Sequence, residues 1–576
     1  MQPVSAESEA KKSTTLKRFG PVVGLVAAVA IGVGVLVISG GEDDKVVAPV
    51  STEAGGSSST PGTGAPGEIT YPMNFTQAKD AGVTVDWGTR CDTTTGKIAV
   101  PDFFASQCYV PFTGDNGGAT AEGVTADEIT IAMYQGQPGD AIMAYITDAV
   151  QVSDTNAQAT ETMQNLLKYY ETFYETYGRS VKFVPFVGTG NALDETAARA
   201  DAVRIAEEIK PFMVWGGPNL NSAFADELAA HKILCMSCTP GQPHEFYAER
   251  DPYVWGIGGS GDQAQIHELE LIKNQLVGKN ATHAGDEFVN SPRKFGSLYL
   301  ESSATSKISN DQFQKGMVDA GAPVAETVAY ALNPGTIQQS ASQAIAKFKA
   351  AGVTTIVFDG DPVAPRDFTR EATAQGYFPE WFVGNSALVD VNAFARTYDQ
   401  SQWKHAFGYT SLSARLAPET TGAYALYKWF TGNEPPAKDT IALIAPFPAV
   451  FYAVLQGMGP NLSPQTWKDA LFNAKPTRSA VTQPSLSWGD QGRWAIKDDY
   501  HGVDDATMIW WDPAATGLDE IRKPGVGMYQ FVDGGKRYLP GEWPKTDKFF
   551  DPTGAVTDYK TAPGNESAPT YPSPAG

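Results

Sequence analysis

A short polar turn follows one of the apolar segments of this chain and has the composition of an anion-binding loop. The apolar segment ends at Trp215, and the turn GGPNLNSAF brings Asn219, Asn221 and Ser222 to the start of a predicted helix. The free N–H groups and the positive dipole end of a helix favour a carboxylate at such a position. Asn and Ser are also common helix caps, so a purely structural role for Asn221 and Ser222 remains an alternative.

Polar or acidic side chains also follow three other apolar segments. Ser302 follows GSLYLE, Asp359 and Asp361 close TTIVFDGD, and Gln137 follows EITIAMYQG. A carboxylate at the end of a strand can receive an ammonium group. Asp-Gly is itself a turn signal, so a turn or cap is the alternative for Asp359 and Asp361. For Gln137 the alternative is simple packing within a loop.

Composition and motif content argue against three classes of protein. The net charge of −22 disfavours a nucleic-acid partner, because phosphate backbones need clustered cations. The sequence lacks the nucleophile elbow G-x-S-x-G, the phosphate loop G-x-x-x-x-G-K-[ST] and the zinc motif H-E-x-x-H. Its six histidines leave little room for a His-built metal centre. We therefore expect a protein that is not an enzyme and has no metal and no cofactor.

From residue 128 onwards, short apolar segments alternate with segments of helical periodicity. The apolar segments are 128–134, 182–187, 212–215, 233–237, 253–258, 296–301, 324–330, 354–359 and 381–385. Such alternation is typical of βαβ units, which form parallel sheets covered by helices on both faces. The alternation breaks near Asp251, and the body of 68–544 is too long for one core. The pattern therefore predicts an α/β fold of two doubly wound lobes with a ligand cleft between them.

The four cysteines are expected to form two disulfide bonds. Cys91 and Cys108 bracket a loop-like segment, and Cys235 and Cys238 form the motif CMSC. Thiols on the oxidising side of a membrane tend to pair, which predicts the bonds Cys91–Cys108 and Cys235–Cys238. A redox-active pair at CMSC is the sharper alternative, although no thioredoxin-like pattern accompanies the motif.

An apolar segment near the N-terminus predicts the location of the protein. Residues 21–40 are uncharged and long enough to span a bilayer as a helix. Lysines and an arginine precede this segment and acidic residues follow it, so residues 1–20 are expected in the cytoplasm and the bulk of the chain outside. We favour a single-pass membrane anchor, and an export signal that is cleaved remains the alternative.

Three further segments differ in composition from the body. Residues 41–67 are rich in Gly, Ser, Thr and Pro and are expected to form a flexible linker. Residues 68–122 are expected to form an extension that contains the first disulfide. Residues 545–576 resemble the linker in composition and are expected to form a disordered tail.

The order and spacing of several blocks resemble the type I periplasmic solute-binding proteins, above all the branched-chain amino acid binding proteins of ABC importers. The blocks are GVTADEITIAM, VWGGPNLNSAFADELAAHKILCMSCTP, DPYVWGIGGSGDQAQIHELELI, AGVTTIVFDGDP and AQGYFPEWFVGNSAL. The resemblance implies two lobes joined by a three-crossover hinge, with crossings near 250, 390 and 480. Lobe 1 would then comprise 123–250 and about 390–480, and lobe 2 would comprise 251–389 and about 481–544.

The same resemblance implies a function and further site residues. The family binds a small solute between its lobes and presents it to a membrane permease. Its turn matching GGPNLNSAF contacts the carboxylate of the ligand, and a Ser/Thr loop matching Ser237 and Thr239 lies beside it. CMSC departs from the family pattern at this loop. We therefore expect a membrane-tethered protein that delivers a small polar solute to an ABC permease. A solute sensor acting through a partner and a scaffold without a ligand are the alternatives.

Overall fold

The computed structural model describes residues 68–218, 220–384, 388–417, 422–564 and 566–576. The predicted membrane segment 21–40 and linker 41–67 lie outside these ranges. The described chain begins with the extension, which contains one helix and a small antiparallel hairpin. Its elements are α1 (Phe75–Asp80), β1 (Cys91–Asp92) and β2 (Lys97–Ile98). The disulfide Cys91–Cys108 lies within this extension, as the sequence predicts.

Lobe 1 is built on a five-stranded parallel sheet. The strand order is β4-β3-β5-β6-β7. Its elements are β3 (Glu128–Gln135), α2 (Ala141–Val150), α3 (Asn156–Phe173), β4 (Ser180–Val187), α4 (Glu195–Arg204), β5 (Met213–Trp215), α5 (Ala223–Ala230), β6 (Leu234–Met236), α6 (His244–Ala248) and β7 (Val254–Trp255). A short π-helix, Ile205–Ile209, follows α4. Every residue of β5, β6 and β7 is buried, which explains their continuous apolar sequences.

Lobe 2 is built on an eight-stranded mixed sheet. Its first part contains α7 (Gly261–Gln275), β8 (Phe295–Leu300), α8 (Ala304–Asp319), β9 (Glu326–Tyr330), α9 (Ile337–Ala351), β10 (Thr355–Asp359), α10 (Ala364–Ala374), β11 (Glu380–Val383), α11 (Asn392–Ala395), α12 (Gln400–Trp403) and β12 (Ala406–Thr410). The strands of this part are parallel to one another. The predicted βαβ alternation is therefore confirmed in both lobes.

The chain then returns once to each lobe. A short strand β13 (Arg415–Leu416) precedes the return to lobe 1, and the remaining elements are α13 (Gly422–Thr431), α14 (Ile441–Ile444), α15 (Pro446–Met458), α16 (Pro464–Asn473), β14 (Ala506–Leu518), β15 (Pro524–Phe531), β16 (Arg537–Tyr538) and β17 (Asp558–Tyr559). A one-turn 3-10 helix, Val532–Gly535, follows β15. Helices α13 to α16 pack into the core of lobe 1. Strands β14, β15 and β16 join the lobe 2 sheet in antiparallel fashion, so that sheet is not purely parallel.

The three crossings between the lobes lie further along the chain than the resemblance implies. The first lies at about 257–260, between β7 and α7, instead of 250. The second follows Thr410 instead of residue 390, because β12 still pairs with β11 in lobe 2. The third lies at 503–506 instead of 480, since Val503 belongs to the lobe 1 core and Ala506 to a lobe 2 core.

Helix α2, which the sequence pattern does not predict, connects the lobes on one side. It follows β3 of lobe 1, but its Met143, Ile146 and Val150 pack into a core cluster of lobe 2. Tyr145 of this helix donates a hydrogen bond from its hydroxyl to Asp367 of α10 at 3.2 Å. The two lobes are thus in contact through α2.

The C-terminal segment differs from the disordered tail that the sequence predicts. Strand β17 pairs with β13 in parallel. The indole nitrogen of Trp429 donates to the Tyr571 carbonyl at 3.0 Å, and the Tyr571 hydroxyl donates to Asp92 at 2.9 Å. These aromatic anchors fix a segment whose overall composition is typical of disorder.

One apolar stretch of the body has the length and composition of a membrane span. It is Ile441–Met458, which comprises α14 and α15, and 83% of it is buried inside the protein. Its side chains form a large part of the lobe 1 core. We therefore assign this stretch to the core of the body.

Candidate ligand site between the lobes

A cavity of about 330 Å³ lies between the lobes. Residues of all three crossings line it, together with residues from the carboxyl ends of strands in lobe 2 and the starts of helices in both lobes. The lining residues include Asn221, Ser222, Gly241, Gln242, Gly258, Gly259, His267, Ser302, Ser303, Asp359, Asp361, Gly384, Asp390, Tyr409 and Asp505. We call this cavity the cleft. Its position is the one expected for ligands of parallel α/β sheets.

The lobe 1 wall contains the predicted turn, but most of its polar atoms already serve the fold. Asn221 is buried, accepts a hydrogen bond from the Ala223 amide at 3.1 Å and donates one to the Ala192 carbonyl at 2.9 Å. Ser222 precedes α5 and makes no side-chain capping bond. Asn219 lies outside the described residues. Of the predicted turn residues, Ser222 thus keeps a hydroxyl that can serve a ligand.

Ser237 and Thr239 do not line the cleft, contrary to the expectation from the resemblance. Both are buried, and the Ser237 hydroxyl accepts from the Ile257 amide at 3.2 Å. The disulfide Cys235–Cys238, which the sequence predicts, holds this loop against the core. Ser237 has a φ of 53° within the bridged loop. The loop instead presents Gly241 and Gln242 to the cleft.

Gln137 also lies away from the cleft. It belongs to the turn between β3 and α2, where its carbonyl accepts from the Asp140 amide at 3.2 Å. This turn leads into α2, the helix that packs on lobe 2. The loop-packing alternative describes Gln137 better than a ligand contact.

In the lobe 2 wall, Asp361 has a structural role. Its Oδ1 accepts from the amides of Val363 and Ala364 at 2.8 and 2.9 Å, at the start of α10. Its Oδ2 accepts from the Tyr330 hydroxyl at 2.7 Å. Burial raises the pKa of this carboxyl, and these donors oppose the shift. The cap alternative is therefore correct for Asp361, although the residue also lines the cleft.

Asp359 differs from Asp361 because it has no such partners. It ends β10 on the cleft wall, and within the described ranges its side chain makes no hydrogen bond and no ion pair. Burial raises the pKa of its carboxyl to about 7. Burial thus disfavours the charged form, and a cation placed beside this carboxyl would favour its ionisation. No group of the described fold uses the carboxyl.

Glu268 is a second acid at this position, and the sequence analysis does not identify it. It lies on α7, is only 2% exposed, and its Oε1 has no hydrogen-bond partner. Burial raises the pKa of its carboxyl well above the usual range, and the charge of Asp359 adds to the shift. A Cβ on Gly384, which lines the cleft, would clash with Glu268 Oε1. The signal in the sequence is an acid on the buried face of α7, one turn before Leu271 and Ile272.

The remaining titratable groups make the cleft acidic. Asp390 accepts a hydrogen bond from Thr410, and burial raises its pKa to about 6. Asp505 is buried and pairs with Arg537 at 2.7 Å, behind the wall. Among the described residues that line the cleft there is no Lys and no Arg.

His267 is the nearest basic side chain, and it is neutral. Burial lowers its pKa to about 4. Its Nδ1 accepts a hydrogen bond from the Trp543 indole at 3.0 Å, so its Nε2 carries the proton and donates to the Asp504 carbonyl at 3.1 Å. The cleft therefore favours a cationic group of a ligand over an anionic one at the Asp359 end. In the described part of the chain, His, Cys, Asp and Glu side chains form no group of three or more suited to a metal.

Comparisons with known proteins give structural similarity only. No protein-family model and no curated protein matches the sequence. A solute-binding protein of an ABC transporter from Rhodopseudomonas palustris, in complex with 4-hydroxybenzoate, is 14% identical over 70% of this chain and 97% of its own, with a TM-score of 0.48. An isoleucine complex of a branched-chain amino acid binding protein from Streptococcus pneumoniae is 13% identical, covers 70% and 100%, and has a TM-score of 0.45.

A third structure is the leucine-, isoleucine-, valine-, threonine- and alanine-binding protein from Brucella ovis in its closed conformation. It is 12% identical over 74% of this chain and 100% of its own, with a TM-score of 0.49. These three solved structures are solute-binding or amino acid binding proteins, the class that the sequence resembles. The ligands in their descriptions belong to those proteins.

Proposed function

We propose that this protein is an extracytoplasmic solute-binding protein that captures a small amine-bearing solute between its lobes and delivers it to an ABC importer. The observation that carries the proposal is the pair of acids Asp359 and Glu268. Asp359 lines the cleft, and Glu268 lies beside Gly384 of the cleft wall. Within the described residues neither acid has a cationic partner, and Glu268 Oε1 lacks any hydrogen bond. An unpaired acid in a buried site costs stability, and such acids cluster at binding sites, which supports a role in binding a ligand.

The ligand chemistry follows from the two ends of the cleft. A protonated amine placed at Asp359 would supply the missing positive charge and the missing donors. The opposite wall presents the start of α5 beside Ser222, where helix amides favour a carboxylate. Ser303, at the start of α8, adds a hydroxyl nearby on the lobe 2 side. A zwitterionic amino acid or a related amine with an acceptor group therefore fits best.

Lobe closure provides the link from binding to delivery. A ligand that contacts both lobes binds the closed form more tightly than the open form, and so shifts the population toward closure. The three crossings line the cleft, so a bound ligand would lie next to the segments that must bend when the lobes close. The closed form would be the state that a permease recognises, and the predicted segment 21–40 would hold the protein at the membrane.

The proposal is tested by a thermal-shift screen on the exported body of the protein. The panel contains amino acids, simple amines, amides and carboxylates that lack an amine. We expect compounds with an amine to raise the melting temperature, since a ligand at a hundredfold excess over its Kd stabilises by about 2.7 kcal/mol. Stabilisation by amine-free carboxylates alone, with no effect of any amine, would contradict the proposed ligand class.

A matched pair of variants assigns the binding to the cleft. Asp359→Asn removes the free charge, whereas Asp311→Asn removes an acid on the exposed face of α8 that is paired with Lys307. The selected amine should lose affinity only in Asp359→Asn. Equal affinity in the two variants would show that the amine binds elsewhere.

A further inference from the structure

A second and larger cavity, of about 480 Å³, lies on another side of the junction between the lobes. We call it the rear cavity. Its walls come from the end of α2, from α11 and β15 of lobe 2, from α13 and α14 of lobe 1, from the extension and from the C-terminal segment. The extension contributes 101–104 and the C-terminal segment contributes 560–562 and 566–568. Its size lies within the range of about 300–1,000 Å³ that small-molecule sites have.

The wall of the rear cavity is mainly apolar. Its apolar lining residues include Val391, which precedes α11, Phe394 of α11, Ile441 and Leu443 of α14, and Phe531 of β15. Ile441, Phe394 and Phe531 are buried in the surrounding cores, so the wall is preformed. A preformed apolar cavity suits the hydrocarbon part of a small molecule.

The acids at the rear cavity are held mostly by the fold. Glu520 accepts from the amides of Asn392 and Ala393, both at 3.0 Å, and so caps α11. Glu566 accepts from the Thr482 amide and hydroxyl at 3.3 and 2.6 Å. These carboxylates are thereby directed toward backbone and hydroxyl donors of the protein.

The other acids at the rear cavity also accept hydrogen bonds from the protein, although one oxygen of Asp102 does not. Asp439 accepts from the Ser153 amide and hydroxyl at 3.0 and 2.9 Å, and Asp390 accepts from Thr410. Asp102 accepts from the Phe104 amide at 2.9 Å through Oδ1, and its Oδ2 has no partner. Burial raises the pKa of Asp102 to about 7. Its carboxyl is therefore protonated in part of the molecules at neutral pH and can donate a hydrogen bond.

Two guanidinium groups line the rear cavity, and each has a buried nitrogen without a hydrogen bond. Arg522 lies over the ring of Tyr424 at 4.8 Å, and its buried Nη2 has no hydrogen-bond partner. Arg415 lies 3.4 Å from Glu520 through Nη1, but this atom also lacks a hydrogen bond, and Nη2 reaches the Leu518 carbonyl only at 3.4 Å. Buried unpaired donors are costly, and a carboxylate is the group that guanidinium matches best.

We infer that the rear cavity is a second ligand site, which binds a small apolar carboxylate with its head group at Arg415 and Arg522 and its hydrocarbon part against α11 and α14. The site is distinct from the cleft in chemistry, because the cleft is acidic and presents no cation within the described ranges. The two cavities share Leu388, Asp390 and Leu412 in their walls. The rear ligand would therefore lie against the same junction that the cleft ligand closes.

The test uses octanoate, with octanol and octylamine as probes of equal chain length and different head groups. Calorimetric titration should detect octanoate binding. Octanol and octylamine should bind about tenfold more weakly or worse, since they cannot form the charge-assisted hydrogen bonds of a carboxylate. Hexanoate and decanoate should differ from octanoate, because the apolar wall buries each added methylene. Equal affinity for octanoate and octanol would overturn the assignment of the head group.

Variants locate the site. Arg522→Gln and Arg415→Gln should each weaken octanoate about tenfold, and Arg522→Lys should restore part of the loss. Arg199→Gln, at an exposed ion pair on lobe 1, is the control for the change in charge. Ala425→Phe should fill the cavity from α13 and abolish binding, and an unchanged melting transition confirms that the variant is folded.

The cleft is tested separately by Asp359→Asn, which should leave octanoate binding unchanged. A failure of the proposed amine binding would thus remain distinguishable from a failure at the rear cavity. Octanoate binding that persists unchanged in both arginine variants and in Ala425→Phe would overturn the inference. No detectable octanoate binding to the unmodified protein would overturn it as well.

Discussion

The two walls of the cleft use their polar groups in different ways. On the lobe 1 wall, Asn221 is bonded on both sides of its amide, and Ser237 and Thr239 are turned into the protein. On the lobe 2 wall, the Asp361 carboxylate caps a helix, whereas the Asp359 carboxyl has no hydrogen-bond partner among the described residues. The difference shows that a polar residue at the correct place in the fold becomes a ligand group only if the fold leaves its atoms unbonded.

The largest expected effect concerns the free acid of the lobe 2 wall. Asp359→Asn should weaken binding of an amine ligand by about 10- to 100-fold, because a charge-assisted hydrogen bond contributes about 1.5–3 kcal/mol. The free energy of unfolding should stay the same or rise, since an unpaired buried acid is removed. Isothermal titration calorimetry and chemical denaturation measure the two quantities, and a stable variant with unchanged affinity would contradict the role of Asp359.

The next largest expected effect is the pH dependence of folding stability and of amine affinity. The pKa of Asp359 is raised from 3.8 to about 7, and a carboxyl with a raised pKa stabilises the folded state in its protonated form. This contribution is complete below pH 4 and is lost as the pH rises to about 7. Affinity for an amine should move in the opposite direction, rising up to about tenfold per pH unit below 7 and levelling above it.

Glu268 faces the same region, and burial raises its pKa too, so it can broaden the transition. Titrations of the unmodified protein and of Asp359→Asn at a series of pH values separate the two acids. The steep rise of amine affinity with pH below 7 should disappear in Asp359→Asn. A pH profile that is the same in both proteins would assign the dependence to another group.

Asn221 tests the lobe 1 wall and should affect stability more than binding. Asn221→Ala removes a hydrogen bond to the Ala192 carbonyl and one from the Ala223 amide, both buried. We expect a loss of about 1–3 kcal/mol in the free energy of unfolding. Ligand affinity, measured on the folded fraction, should change by less than the effect of Asp359→Asn. The reverse order of effects would show that Asn221 contacts the ligand directly.

The smallest effect is expected at Ser302. This residue is exposed, and its hydroxyl lies 3.1 Å from that of Ser306 at the start of α8. Ser302→Ala should change the free energy of unfolding by less than about 0.5 kcal/mol, as surface substitutions usually do. Its effect on amine affinity should be the smallest of the series, and a loss as large as that of Asp359→Asn would place the ammonium group at the α8 end.

The sequence predicts the repeating part of the fold well, because buried parallel strands have continuous apolar sequences. Segments such as 212–215 and 354–359 correspond to β5 and β10 within a residue or two. The crossings are misplaced because strand pairing, which decides where the chain changes lobes, has no local signal at β12. The C-terminal segment is misread because a few aromatic contacts, such as that of Tyr571, outweigh its composition.

The site is predicted less completely than the fold. Strand ends identify Asp359 and Asp361 equally, and only the hydrogen bonds of Tyr330 and of α10 distinguish them. Glu268 is missed because a glutamate on a helix normally faces solvent, and its burial depends on packing against Gly384. Ser237 is misassigned because it lies in a buried loop bridged by Cys235–Cys238, and this CMSC motif departs from the family pattern on which the assignment rests.

The most direct test is a crystal structure of the protein with the strongest amine ligand from the thermal-shift screen. The account predicts one molecule in the cleft, with its ammonium nitrogen at a charge-assisted hydrogen-bond distance of about 2.7–2.9 Å from the Asp359 carboxylate. The same molecule should contact the lobe 1 wall near Ser222. A ligand bound outside the cleft, or one held by a single lobe with Asp359 still unpaired, would contradict the account.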